Sequence, residues 1–229
     1  MNLSEHYNEL FKTSSELILS ENYTIDSKIN DDSDKRFGIT LLARPTKEIK
    51  DNIQLFIQEL KKKEPEQYYY PNADIHITIM SIISCTEGFT LDKFSTSAYV
   101  EIIEKSLVDI NKIEIEYRGV TLSPSAIMIQ GFISDDSLNV LRDKLRDNFK
   151  NSSLTQSIDS RYSISTAHST VMRFQKKLKN PAKLIKVIEK FRNHAFGKFT
   201  VEKIELVYND WYQREENTIN LCDLYLKSF

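Results

Sequence analysis

The order of apolar and polar runs occurs twice along this chain, and each copy carries a histidine at the equivalent place. Residues 37–43 form an apolar, β-branched run of strand type. Pro45-Thr46 stops it and opens a helical pattern with Ile49, Ile53, Phe56, Ile57 and Leu60 on one face. Lys61-Lys62-Lys63 falls in the last turn, where positive charge suits the helix dipole. Residues 74–83 read as a strand, followed by a helix with Phe94, Ala98, Ile102, Ile103 and Leu107, and a strand over 113–120. From Ala126 the order recurs. A strand over 126–133 leads to a helix capped by Ser134 or Asp135, with Leu138, Leu141, Leu145 and Phe149 inside. A polar stretch over 151–159 precedes the strand carrying His168. Asn180-Pro181 then opens a helix bearing Leu184, Val187, Ile188 and Phe191. Residues 199–208 read as one closing strand, and 218–226 as a last one.

Strand–helix–strand–helix–strand therefore occurs twice in register: Phe37 precedes His76 by 39 residues and Ile127 precedes His168 by 41. The expected fold class is α+β. Two pseudo-symmetric lobes, each a largely antiparallel sheet with helices on its outer face, enclose a central cleft. Residues 1–34 read as an N-terminal helical arm (about 3–19) and a polar linker. Residues 35–229 read as a single bilobal domain, with repeats at about 35–122 and 124–229.

Within the repeats stand His76-Ile77-Thr78-Ile79 and His168-Ser169-Thr170-Val171, 92 positions apart. On a strand, residues i and i+2 share a face. Ile75, Ile77 and Ile79 should pack on helices, leaving His76, Thr78 and Met80 for the open face. His168 and Thr170 share a face, and Ser169 turns away, poorly placed as a nucleophile. One imidazole and one hydroxyl from each half suit acid–base chemistry on a phosphate ester. Thr40 and Gln130 interrupt the partner strands and are candidates for the cleft wall. Tyr70, of Tyr68-Tyr69-Tyr70-Pro71, and Tyr208, near Trp211 and Tyr212, can stack on a base or simply pack. Arg161 and Arg173 flank the second motif, to meet phosphate or to form surface ion pairs. His6 and His194, the other two of the four histidines, read as structural.

Composition narrows the chemistry. A net charge of −2 over 229 residues speaks against a general binder of long nucleic acid. Only five glycines occur, so Gly-rich phosphate loops and a Gly-flanked nucleophile elbow are absent. Two cysteines, Cys85 and Cys222, make a disulfide scaffold unexpected. No signal peptide or membrane-length apolar run is seen, so a cytoplasmic monomer acting on a small phosphorylated substrate, nucleotide or RNA end is expected. No cofactor and no metal are expected. The rival readings are a metal-dependent hydrolase using Asp74 and His76, and a non-catalytic nucleotide or RNA-end binding module. Thr166 stands where a matching second carboxylate would be.

At these two motifs the chain resembles the two-histidine phosphoesterase superfamily, the group containing bacterial 2′-5′ RNA ligase-like proteins and cyclic phosphodiesterases. The resemblance spans roughly residues 35–229. It implies metal-independent hydrolysis, or reversible ligation, of 2′,3′-cyclic phosphates or 2′-5′ phosphodiesters. It also implies that His76 and His168 exchange protons while Thr78 and Thr170 hold the non-bridging oxygens. The strand Val171-Met172-Arg173-Phe174 is less apolar than the family's pattern at this place, which bears on substrate contacts. The helical arm is not a family requirement.

Overall fold

The computed structural model describes residues 2–227. Its elements are α1 (Leu3–Leu19), β1 (Arg36–Ala43), α2 (Lys47–Lys61), β2 (Tyr68–Tyr69), β3 (Ile77–Glu87), α3 (Thr96–Leu107), β4 (Ile113–Ser123), β5 (Ala126–Ile133), α4 (Ser137–Lys150), β6 (Ser169–Arg173), α5 (Pro181–Lys190), β7 (Ala195–Val201), β8 (Lys203–Asp210) and β9 (Ile219–Tyr225). The strands form two antiparallel sheets. One has the order β3-β1-β8-β9 and the other β2-β6-β5-β4-β7. This is the expected α+β architecture of two sheet lobes clad by helices.

Local chemistry starts the helices where it should. Asn2 caps α1 by accepting from the Ser4 and Glu5 amides, at 3.1 and 3.3 Å. Asn180 accepts from Lys183 N at 2.9 Å, and Pro181 opens α5 without wasting a donor. The expected cap of α4 shifts by a residue: Asp136 stands at the N-cap, while the Asp135 carboxylate accepts from Ser137 N at 2.8 Å. The run expected as one strand over 199–208 is two strands, β7 and β8, which break at Glu202 and enter different sheets.

The pairing is interlaced. In one sheet β1 lies between β3 and β8, and β8 comes from the far end of the chain. In the other, β5 lies between β6 and β4, and β4 comes from the first half of the chain. The helices cross over too. Helix α2 follows β1 yet packs on β6, β7 and α5; α4 follows β5 yet packs on β3 and α3. Each sheet thus holds strands from both halves of the chain, and the two halves share one apolar core.

Helix α1 lies against β4 and α5. Its Tyr7 is 1% exposed. The Tyr7 hydroxyl donates to Gly131 O at 3.1 Å and accepts from Gly131 N at 3.3 Å, beyond the point where β6 stops pairing with β5. Thr121 Oγ1 donates back to Tyr7 O at 3.0 Å. These bonds satisfy strand groups that would otherwise be buried unpaired. Gly131 is required there for a second reason: a Cβ would stand 2.0 Å from Ala167 O, one residue before His168. Among the described residues no helix is long and apolar enough to cross a membrane.

Candidate active site

The two lobes enclose a cleft of about 610 Å³, a size common for small-molecule sites. His76 and Thr78 line it from one lobe; His168 and Thr170 line it from the other. Alternation explains the placement. Ile75, Ile77 and Ile79 are fully buried on the opposite side, as are Ser169 and Val171. Each histidine is the residue immediately before its strand rather than within it. At that position the ring is anchored by residue i−2 in both motifs. His76 Nδ1 lies 2.7 Å from Asp74 O, and His168 Nδ1 lies 2.6 Å from Thr166 Oγ1.

The two anchors differ chemically. A carbonyl only accepts, so His76 carries its proton on Nδ1 and, when neutral, leaves Nε2 with a lone pair. A hydroxyl accepts or donates, so His168 is free to keep a proton on Nε2. Burial lowers the pKa of both rings to about 4. For His76, the Asp74 carbonyl opposes that shift, and Arg44, His168 and Arg173 add to it. For His168, the charges of Arg142, Arg173 and His6 add to the effect of burial. Neither Thr78 nor Thr170 spends its hydroxyl on a bond to another described residue, so both are available to a ligand.

Ser169 has a structural task. Its hydroxyl donates to His76 O at 2.5 Å and meets the Tyr117 hydroxyl at 2.5 Å. One motif is thereby bonded to the backbone of the other across the lobe boundary. The Asp74 carboxylate does not sit beside the imidazole. It accepts from Glu215 N at 3.0 Å and so fixes the loop after β8. Among the described residues no group of three or more His, Cys, Asp or Glu is arranged to hold a metal ion.

Of the other expected residues, Thr40, Tyr70 and Arg173 line the cleft. Arg173 Nε donates to the Tyr70 hydroxyl at 2.8 Å. Two expectations are corrected. Gln130 does not line the cleft. It lies opposite the place where the β4–β5 ladder skips Arg118 and Gly119, and its amide donates to Val120 O at 3.0 Å. Gly119 adopts φ +81° there, and a Cβ would come 2.2 Å from Arg192 O. Tyr208 also lies outside the cleft. Alternation along β8 turns Asn209 to the cleft, while Tyr208 stacks on Phe37 with centroids 4.9 Å apart and donates to Phe89 O at 3.2 Å.

Trp211 lines the cleft, and its indole carries two guanidinium contacts. The Arg36 guanidinium covers one ring contact at 4.6 Å and that of Arg161 another at 4.4 Å. Cys85 is buried, with its thiol pushed up to about 12 by desolvation, and serves packing rather than nucleophilic chemistry. His6, expected to be structural, lines the cleft together with Tyr7 and Leu10 of α1. The lining carries three histidines, Arg161 and Arg173. Against them stands one lining carboxylate, Asp159, which is held by Arg146 at 2.6 Å. Arg161 and Arg173 outnumber that carboxylate, so the lining is net positive even with His76 and His168 neutral.

No family model matches the chain, and the curated proteins contain no match. Solved structures do match. TT0787 of Thermus thermophilus superposes with a TM-score of 0.58 at 13% identity, over 83% of this chain and 98% of its own. A protein described as a phosphoesterase gives 0.53 at 13% identity, over 84% and 99%. The chain shares the fold of these proteins. E. coli LigT bound to 3′-AMP shares it, with a TM-score of 0.56 at 12% identity, over 85% of this chain and 99% of LigT. At such identities the likeness is one of fold; the chemistry of this chain rests on its own cleft.

Proposed function

We propose that the protein is a metal-independent phosphodiesterase acting on 2′,3′-cyclic phosphates or 2′-5′ phosphodiesters of nucleotides or RNA ends. The observation that carries this reading is the pairing, in one cation-lined cleft, of two anchored imidazoles and two uncommitted threonine hydroxyls. The 3′-AMP bound to LigT is a nucleotide of the kind that such a cleft would accommodate.

In the hydrolysis of a cyclic phosphate, His76 Nε2 takes a proton from water as the water oxygen bonds to phosphorus. The bond from phosphorus to one ribose oxygen breaks, and His168 Nε2 gives that oxygen its proton. Solvent exchange then returns both rings to their starting states. In ligation a 5′-hydroxyl takes the place of water: His76 Nε2 removes its proton as that oxygen bonds to phosphorus, and His168 Nε2 protonates the ribose oxygen whose bond to phosphorus breaks. His76 is the base because its carbonyl anchor fixes the lone pair on Nε2. Thr78 and Thr170 donate to the non-bridging oxygens, where negative charge builds. The bound phosphate anion raises the proton affinity of His168 and so supplies the acid at neutral pH.

A panel of 2′,3′-cyclic mononucleotides and 2′-5′ dinucleotides, incubated in excess EDTA and resolved by chromatography, tests the reading. Turnover to monoester products in EDTA is the expected result. Binding without products would favour the non-catalytic module. Activity lost to EDTA and restored by added metal would favour a metal hydrolase.

A further inference from the structure

Arg142 is the largest fully buried side chain among the described residues, and it has no acidic partner there. It is 1% exposed. Among the described residues no carboxylate lies within ion-pair distance of it. A buried cation without a counter-ion is costly unless its donors are satisfied and its charge has a use. Its hydrogen bonds show where it acts. Nε donates to Ile79 O at 3.0 Å, while Nη2 donates to Thr78 O at 3.0 Å and to Thr166 O at 2.8 Å. Thr78 is the hydroxyl residue of the first motif. Thr166 is the residue whose hydroxyl anchors His168. One guanidinium on α4 therefore binds the backbone of the first motif and of the residue that anchors the histidine of the second. Nη1 has no partner.

We infer that Arg142 is a positioning residue for the phosphodiester chemistry, clamping the two motifs in register and placing a fixed positive charge behind His168. This rests on the proposed function and deepens it. The fork geometry explains why arginine is needed: three carbonyls, two on β3 and one in the segment before β6, are reached by one rigid planar group, which a lysine cannot reproduce. The charge makes protonated His168 a stronger acid toward the leaving oxygen. The other charged groups that bear on His168 are Arg173 from β6 and His6 from α1. Both remain in an Arg142 variant, so the effect of the clamp can be isolated.

The experiment compares R142K and R142M with the unaltered chain. It combines NMR titration of the His168 ring without substrate, circular dichroism to check folding, and kinetics on a 2′,3′-cyclic nucleotide. In R142M the His168 midpoint should rise by roughly half to one pH unit, because a nearby positive charge has gone. In R142K the charge persists, so the midpoint should stay within about 0.3 units, while kcat falls on the order of 10-fold from lost alignment. KM should change less than kcat in both. A folded R142M with an unmoved midpoint overturns the inference, whatever its kcat. If R142M does not fold, R142K decides: full kcat with the carbonyl fork removed overturns the clamp. The midpoint needs no turnover, so failure of the proposed reaction and failure of this inference are read separately.

Discussion

Replacing His76 or His168 by alanine should lower kcat on the true substrate by roughly 10³-fold, while the protein stays folded. The magnitude follows from general acid–base catalysis, where one well-placed proton-transfer group contributes about 10²–10⁴-fold. Loss of either ring leaves binding, the threonine donors and the other ring in place, so residual catalysis is expected. The double variant should be little worse than each single one, because base and acid act in one concerted sequence. Structural cost should be small. Both rings are partly buried at the cleft wall, and their anchors, a backbone carbonyl and a hydroxyl, can be taken by water once the ring is gone. Thr78→Val and Thr170→Val provide a graded comparison, since each removes only a donor to the phosphoryl oxygens. Steady-state kinetics with a circular dichroism check measures this, and wild-type turnover in either alanine variant would refute the acid–base pair.

The folded protein should also lose stability steeply between pH 6.5 and 4, and the two cleft histidines should account for much of the loss. Each ring is pushed down to about 4 in the folded chain, chiefly by burial. In the unfolded chain each titrates near 6.5. Between those values the unfolded state binds protons that the folded state refuses. Stability therefore rises with pH across this window and is fully present above 6.5. Each tenfold change in proton affinity corresponds to about 1.4 kcal/mol per group. Both rings border a cleft open to water, which reduces the effect, so roughly 3 kcal/mol for the pair is expected between pH 7 and pH 4. Carboxylates held low by partners, such as Asp34 beside Arg36, add to acid unfolding on their own account. Urea unfolding of the wild type and of the double His76→Gln, His168→Gln variant at several pH values separates the two sources. The double variant should lose most of the slope above pH 4.5; an unchanged slope would mean that the rings are not held neutral.

What could be read from the amino acids follows physical range. Alternation with period two is a local property. It correctly turns Ile75, Ile77 and Ile79 inward, leaves His76 and Thr78 for the open side, and turns Ser169 away from the cleft. The helices are legible from their apolar stripes and from caps such as Asn180-Pro181. The crossing of β4 and β8 into opposite sheets is not legible, because pairing between distant strands leaves no local pattern. Gln130 misleads for a related reason: the skip at Arg118 and Gly119 is set by the register of β4 against β5. Two further signals lie in the sequence. Arg142 stands among Leu138, Leu141, Leu145 and Phe149, on the stripe that α4 buries, where a charge needs a reason. His6 lies three residues after Leu3 and four before Leu10, beside the stripe that α1 turns inward, and the helix brings it to the cleft.

The central claim is that His76 and His168 address one phosphate between the lobes. Titrating the protein with inorganic phosphate while following the ring nitrogens of all four histidines by NMR tests it directly. The account predicts that His76 and His168 shift together along one saturable curve, with the His168 midpoint moving upward as the anion binds. Phosphate that shifts only one of these rings, or neither, would contradict it.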